Sequence, residues 1–458
     1  MRKVIFFYSV VLLATACGDD DNSVSMDGGD GATTFTVEIE NLSPAFEYPA
    51  SGALSMPANM PNPIADGESY TIEFKAAPRY PMQMDGTTRL SFATMLILSN
   101  DYFFAPGGTG LPLFDEDDMP ITGDRTSLIS IWDAGTEVDQ ELGNGANQPG
   151  PEGTPGGDPD PDNTVRLVDP SADEDLPPVD ELIQVMVSAE EIDREWNFTV
   201  TITNISGGSS LEGPYSNGVW VVHHQTDSDS GPIFTAGMPD RGEGLEVIAE
   251  DGVPDPDMGA SLADTLEAET GLSVIFSPGV WAVHTSDNPF FTSGEENRTD
   301  SVGDGLELLA EDGVNSTLAT AIADEPGILS SNTFGDGPTG PGGTVSFEVT
   351  AEPGDRFSLV TMVVPSNDFV FASPDVMGFE LFTDEAPRSG VISDLIYIWD
   401  VGTEINQTPG VGLDAIVLQD PAGNQGAADP DNTVRIIHDE SQFPAASTVF
   451  QVTVTPAS

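Results

Sequence analysis

The sequence predicts an all-β protein of two tandem antiparallel β-sandwich domains, with short helices in an insert of the second. Three observations predict it. Short segments alternate apolar and polar residues with a period of two, as in FTVEIEN and FTVTITN. Those segments are bounded by Asn, Asp, Gly or Pro, with 48 Gly and 37 Pro scattered without period. The same segments recur along 458 residues, a length sufficient for two or three cores.

The repeats set the element order. FTVEIENLS at 35–43 matches FTVTITNIS at 198–206, and SFATMLILSNDYFFA at 91–105 matches SLVTMVVPSNDFVFA at 358–372. IWDAGTEVDQ at 131–140 then matches IWDVGTEINQ at 398–407. DPDNTVRLV at 160–168 matches DPDNTVRII at 429–437, and LIQVMVS at 182–188 matches VFQVTVT at 449–455. The offset is 163 at the first strand and 267 to 269 afterwards, so the second copy carries about 104 extra residues. Within these, GVWVVH at 218–223 recurs as GVWAVH at 279–284, and GLEVIAEDG at 244–252 as GLELLAEDG at 305–313, both 61 apart. The expected organisation is one sandwich over 34–190 and another over 191–458 with a duplicated 61-residue insert. Helical spacing with few breakers places short helices at Leu245–Ala249 and Leu262–Ala268.

The charge balance narrows function. There are 77 acidic and 13 basic residues, a net charge of −64, and such a surface repels nucleic acid and anionic lipid while attracting cations. It also suits a salty medium. At the N-terminus, MRK precedes the mostly apolar run Val4–Ala14, too short to span a bilayer and right for a signal-peptide core. LATAC then ends in Cys17, the sole cysteine, as in the lipobox of bacterial lipoproteins. The reading is a signal peptide over 1–16, lipidation at Cys17 and an acidic tether over 17–33, with an ordinary signal peptide as the alternative. One cysteine excludes internal disulfides. The expected location is the cell envelope, as an outer-membrane lipoprotein or at the cell surface.

Three acidic loop positions recur in both copies. SND supplies Asp101 and Asp368; WD-x-GTE supplies Asp133 with Glu137 and Asp400 with Glu404; DPDN supplies Asp160 with Asp162 and Asp429 with Asp431. Hard cations such as calcium take six to eight oxygens at about 2.3–2.6 Å from carboxylates and carbonyls on loops. The glycine between Asp and Glu lets the backbone turn so that both side chains converge. Asn100 and Asn367 could add amide oxygens. Plain turn chemistry explains any one of these acids equally well, and DPDN most readily. His223 and His284 are read as packed, hydrogen-bonded histidines, on the same strand face as the Trp of GVW-x-VH. Trp132 and Trp399 are expected to plug the sandwich end. No serine or cysteine nucleophile has a recognisable base partner in both copies.

These motifs together, TM…SND.F.FA, WDAGTE with its downstream Gln, DPDNTVR, SPGVWAVH and GLELLAEDG, resemble the spondin N-terminal domain family. The resemblance implies a β-sandwich similar to calcium-dependent lipid-binding sandwiches, a calcium ion at one end, and a role in matrix or cell adhesion. Carried onto this chain, the calcium ligands are Asp101, Asp133 and Glu137, and Asp368, Asp400 and Glu404. The first copy departs from the family by lacking the GVW-x-VH and GLE-x-x-AEDG blocks. The second has them twice. The expected function is a lipid-anchored, non-catalytic binding or adhesion protein whose partner is extracellular matrix, a glycan or a cell-surface protein. The alternatives are a carboxylate-based hydrolase of extracellular glycans and a structural acidic envelope protein.

Overall fold

The computed structural model describes residues 31–55, 63–80, 86–148, 156–169, 176–225, 230–255, 259–374, 376–416, 426–437 and 443–457. The signal peptide, Cys17 and nearly all of the tether lie outside the described residues, as does His438. The chain is mostly β, with antiparallel sheets and short helices, as the alternating segments require. Among the described residues no helix is long and apolar enough to cross a membrane.

Two sandwiches of matching design are present. In one, a four-stranded sheet orders Ser69–Ala76, Glu195–Asn204, Ile183–Ile192 and Gly123–Asp124. It faces a larger sheet ordered Ala50–Leu54, Tyr215–Gln225, Thr87–Leu96, Tyr102–Pro106, Ile129–Asp133 and Arg166–Leu167. In the other, Thr344–Ala351, Thr33–Asn41, Phe450–Pro456 and Gly390–Val391 form the small sheet. Its partner is ordered Ile328–Phe334, Gly279–His284, Arg356–Met362, Phe369–Ala372, Tyr397–Asp400 and Arg435–Ile436.

This pairing corrects the expected boundary at 190/191 and dissolves the duplicated insert. Residue 190 lies within a β-hairpin, where Ile183–Ile192 pairs along its whole length with Glu195–Asn204. Thr33–Asn41, assigned by its position to the first copy, is instead a central strand of the second sandwich, between Thr344–Ala351 and Phe450–Pro456. Each sandwich therefore has one GVW-x-VH strand and one pair of helices. The first sandwich is a continuous insertion, entered after Ser43 and left near Gly271, and the second is closed by the two ends of the chain. Where the second sandwich brings Phe35 opposite Pro456, the first joins the equivalent strands through the two-residue turn Asp193–Arg194. The first sandwich is thus a circular permutant of the second, which is why the repeat offsets change along the chain.

Each larger sheet is buried on both faces. The inner face of the first meets the small sheet through Leu90, Phe92, Phe104 and Ile131 against Ile72, Val185, Phe198 and Val200. Its outer face is covered by helices Leu245–Asp251 and Leu262–Ala268, where sequence spacing put them. The second sandwich has the longer pair Ser301–Asp312 and Asn315–Ala323, not assigned from sequence, with Leu306, Leu309, Leu318 and Ile322 on the sheet. Asp300 caps the first of these by accepting from the Val302 and Gly303 amides, and Gly313, at φ 67°, ends it.

Two local expectations are corrected. Trp132 and Trp399 do not plug the sandwich end; they lie in the helix-covered outer layer, against Phe234 and Phe291 at ring separations of 4.8 Å. Trp220 and His223 do not share a face, because residues three apart in a strand point oppositely. Trp220 packs against the inner core, while His223 Nε2 lies 2.9 Å from Ser91 Oγ, on the face of the sheet away from that core. The copy agrees, with His284 Nε2 3.0 Å from Ser358 Oγ. Both histidines are buried, and burial drives the His223 pKa down to about 3.

Candidate functional site

Each larger sheet ends in an acidic cup. In the first sandwich Tyr102 pairs with Asp133, so Asp101 and Asp133 emerge from neighbouring strand ends. The WDAGTE turn then folds back over Asp101: its Oδ2 accepts from the Thr136 amide (3.1 Å), the Thr136 hydroxyl (3.3 Å) and the Glu137 amide (3.1 Å). Asp133 Oδ1 accepts from the Gly135 amide at 2.6 Å. Gly135 is required there. It sits at φ 69°, and a Cβ would collide with the Thr164 backbone. The second cup repeats the geometry. Asp368 Oδ2 accepts from Thr403 N at 3.0 Å and Glu404 N at 3.1 Å, Asp400 Oδ1 accepts from Gly402 N at 2.6 Å, and Gly402 has φ 74°.

All six predicted residues, Asp101, Asp133, Glu137, Asp368, Asp400 and Glu404, are buried at these two sheet ends. Glu137 and Glu404 reach the aspartates through their backbone amides, while their carboxylates accept from the Gly157 and Gly426 amides, so neither predicted trio brings its three carboxylates within 4.8 Å of one another. The DPDN acids are placed differently. Asp160 and Asp429 pair with Arg166 and Arg435 at 2.7 Å, and those arginines pair in turn with Asp133 and Asp400. Asp162 and Asp431 are exposed turn-formers, each aligning the hydroxyl of a following threonine. Asn100 and Asn367 spend their amide oxygens on the Gln140 and Gln407 backbone N–H groups, both at 3.3 Å.

Three contributors escaped sequence reasoning. Asp139 brings a carboxylate oxygen within 4.8 Å of Asp101 and Asp133, the one such three-acid grouping among the described residues. Its counterpart is Asn406, which donates to Asp400 Oδ2 at 2.7 Å. Glu250 and Glu311, from the last turn of a helix in each sandwich, interact with the Thr136 and Thr403 side chains. The repeated AEDG signalled them. Arg166 and Arg435 were visible as the repeated final residue of DPDNTVR.

Burial dominates the electrostatics. It pushes Asp101 up to about 6, Asp133 up to about 8 with Asp101 and Asp139 adding to the rise, and Glu250 up to about 7. In the second cup burial raises Asp368 well above the carboxylate range, Glu311 to about 8 and Glu404 to about 6, and also raises Asp400. Protonation or a cation relieves this concentration of buried charge, and each cup supplies one arginine. Oxygens remain over: Asp101 Oδ1, Glu137 Oε2, Asp368 Oδ1 and Glu311 Oε2 are buried with no hydrogen-bond partner. An all-oxygen donor set with unpartnered buried carboxylate oxygens fits a hard divalent cation such as calcium.

No protein-family model matches the chain, and no curated protein matches it.

Proposed function

We propose that this is an exported, lipid-anchored, non-catalytic binding or adhesion protein of the spondin type, whose two cups hold calcium and so fix the loops at the sheet ends. The observation that carries the reading is the same in both halves: a fully buried aspartate, Asp101 or Asp368, has one oxygen saturated by backbone amides and the other unpartnered. Calcium would be held by Asp101, Asp133 and Glu137 in one cup and by Asp368, Asp400 and Glu404 in the other. The role of the ion is to neutralise and order. Asp139 and Glu250 lie beside the first cup, and Asn406 and Glu311 beside the second. Two similar cups in one chain are the arrangement of a bivalent binder, in which linked sites raise avidity without new contacts. The partner is extracellular matrix, a glycan or a cell-surface protein, and the acidity of the surface favours cationic groups on it.

Scanning calorimetry with calcium and with a chelator tests the reading. Extracellular calcium sites have dissociation constants of about 10⁻⁴–10⁻³ M. At a hundredfold excess over that constant the gain is about 2.7 kcal/mol per site. Identical melting temperatures in the two buffers would refute it.

A further inference from the structure

We infer that the Asp193–Arg194 turn is a latch that couples the second cup to the docking of the first sandwich upon it. This rests on reading the cups as cation sites, and it concerns the regulation of one of them. The turn exists because the first sandwich is permuted. Both of its residues are left-handed, at φ 52° and 61°, a conformation that side chains disfavour and that glycine or asparagine would relieve.

The turn reaches into the loop that leaves the second cup. Arg194 Nη2 donates to Asp414 Oδ1 at 2.8 Å and Nε donates at 3.2 Å, while the Leu413 amide donates to the Arg194 carbonyl at 3.0 Å. Beside it, Glu195 accepts from the Thr408 amide and pairs with Lys75, whose ammonium donates to Thr408 Oγ1 at 2.9 Å. Asp414 is fully buried, and Arg194 is the cation that docking brings to it.

From Asp414 a line of hydrogen bonds, passing through the Gln407 backbone amide, runs to the cup. Asp414 and Gln407 bond reciprocally, with Asp414 N donating to Gln407 Oε1 at 3.0 Å. Gln407 N donates to Asn367 Oδ1 at 3.3 Å, and Asn367 Nδ2 donates to Glu404 Oε2 at 3.2 Å. Asn367 immediately precedes Asp368. The first sandwich has the same reciprocal pair, Gln140 with Asn147 at 2.8 and 3.1 Å, but there the residue matching Asp414 is a neutral asparagine. Asn147 donates instead to Gly156 O, within its own sandwich, at 3.0 Å. An acid thus occupies the one copy of the loop that receives an arginine from the neighbouring sandwich. Because coupling free energies are reciprocal, a cation in the second cup also tightens the docking.

Two measurements on the full chain test this separately. In chelator, with no cation involved, hydrogen exchange of the Ile405 and Gln407 amides should speed at least tenfold in Arg194→Ala, while exchange at Val138 and Gln140 stays unchanged. Unchanged exchange at Ile405 and Gln407 would overturn the latch. Isothermal titration with calcium chloride should show two binding events in the parent protein, the second identified by its loss in Asp400→Asn. Arg194→Ala should weaken that event threefold or more and leave the first within error. The double variant with Asp414→Asn, which recreates the neutral loop of the first copy, should recover most of the loss. Equal second-site affinity in parent and Arg194→Ala would refute the coupling, whereas no binding event in the parent would refute the cation reading instead. If Arg194→Ala does not fold, Arg194→Lys, which keeps charge but loses the two-pronged contact, carries the same comparisons.

Discussion

Val37 and Val454 stand opposite each other in adjacent antiparallel strands, although they come from the two ends of the chain. Both are fully buried in the core of the second sandwich, with Phe347 facing Val37 from the other side. That sandwich therefore cannot complete its small sheet until its last strand has been made, while the first sandwich has everything it needs from one uninterrupted stretch.

Placing a carboxylate in that sheet should damage one sandwich and spare the other. Val37→Asp buries a charge without a partner, which should cost about 3–5 kcal/mol. Calorimetry should show the transition of the second sandwich lowered and that of the first unmoved, and equal lowering of both would contradict the strand assignment.

Excision checks the same assignment from the other direction. A fragment spanning 44–271 should melt cooperatively and give ordered near-ultraviolet dichroism. A fragment spanning 191–458 should not, because it lacks Thr33–Asn41 and carries two strands that belong to the first sandwich. The reverse outcome would restore a boundary at 190/191.

The ENLS and TNIS phrases yield a third expectation. Asn41 Nδ2 donates to the Val274 and Thr339 carbonyls, both at 2.9 Å, and its Oδ1 accepts from Ser43 N at 3.0 Å. Asn204 does the same for Ile64 and Gly213 in the first sandwich. Asn41→Ala removes the side-chain partners of the Val274 carbonyl and the Ser43 amide, while the Thr339 carbonyl keeps the Phe276 amide, and should cost about 1–3 kcal/mol in the second sandwich alone. Asn204→Ala should show the converse by denaturant melts that resolve the two.

The pH dependence follows from two groups acting oppositely. Asp101, Glu250 and Asp133 have folded values of about 6, 7 and 8, above their unfolded values of about 4, so they favour the folded state at acid pH, and that advantage, complete below about pH 4, is lost as pH rises from there through 8. His223, held near 3, does the reverse: its contribution is complete above its unfolded value of about 6.5 and fades as pH falls below that. The raised acids outnumber the histidine, so in chelator and high salt, which screens the general repulsion, the melting temperature should decline from about pH 4.5 toward pH 8.5. Calcium should flatten the alkaline decline by replacing protons in the cups. An alkaline limb indifferent to calcium would count against the account.

How much of this was legible in the sequence depends on what a repeat reveals. Repeats identify which segments are alike, and so the all-β class, the helices near Leu245 and Leu262 and the approach of Asp101 to Asp133 could be read directly. They do not reveal which segments pair. The permutation was written in the shift of offset from 163 to 267, yet FTVEIEN has the same alternation whichever neighbour it finds. Asp139 was overlooked because its counterpart is Asn406, which broke the match. Glu250 was overlooked because helix residues were not weighed with the loops. Arg194 had no counterpart at all, since the second sandwich has chain ends where the first has that turn.

The most direct measurement is an anomalous difference map from a crystal grown with calcium. The account predicts a peak in each cup, within about 2.3–2.6 Å of carboxylate oxygens of Asp101 and Glu137 in one and of Asp368 and Glu404 in the other. Ordered protein with no peak in either cup would contradict it.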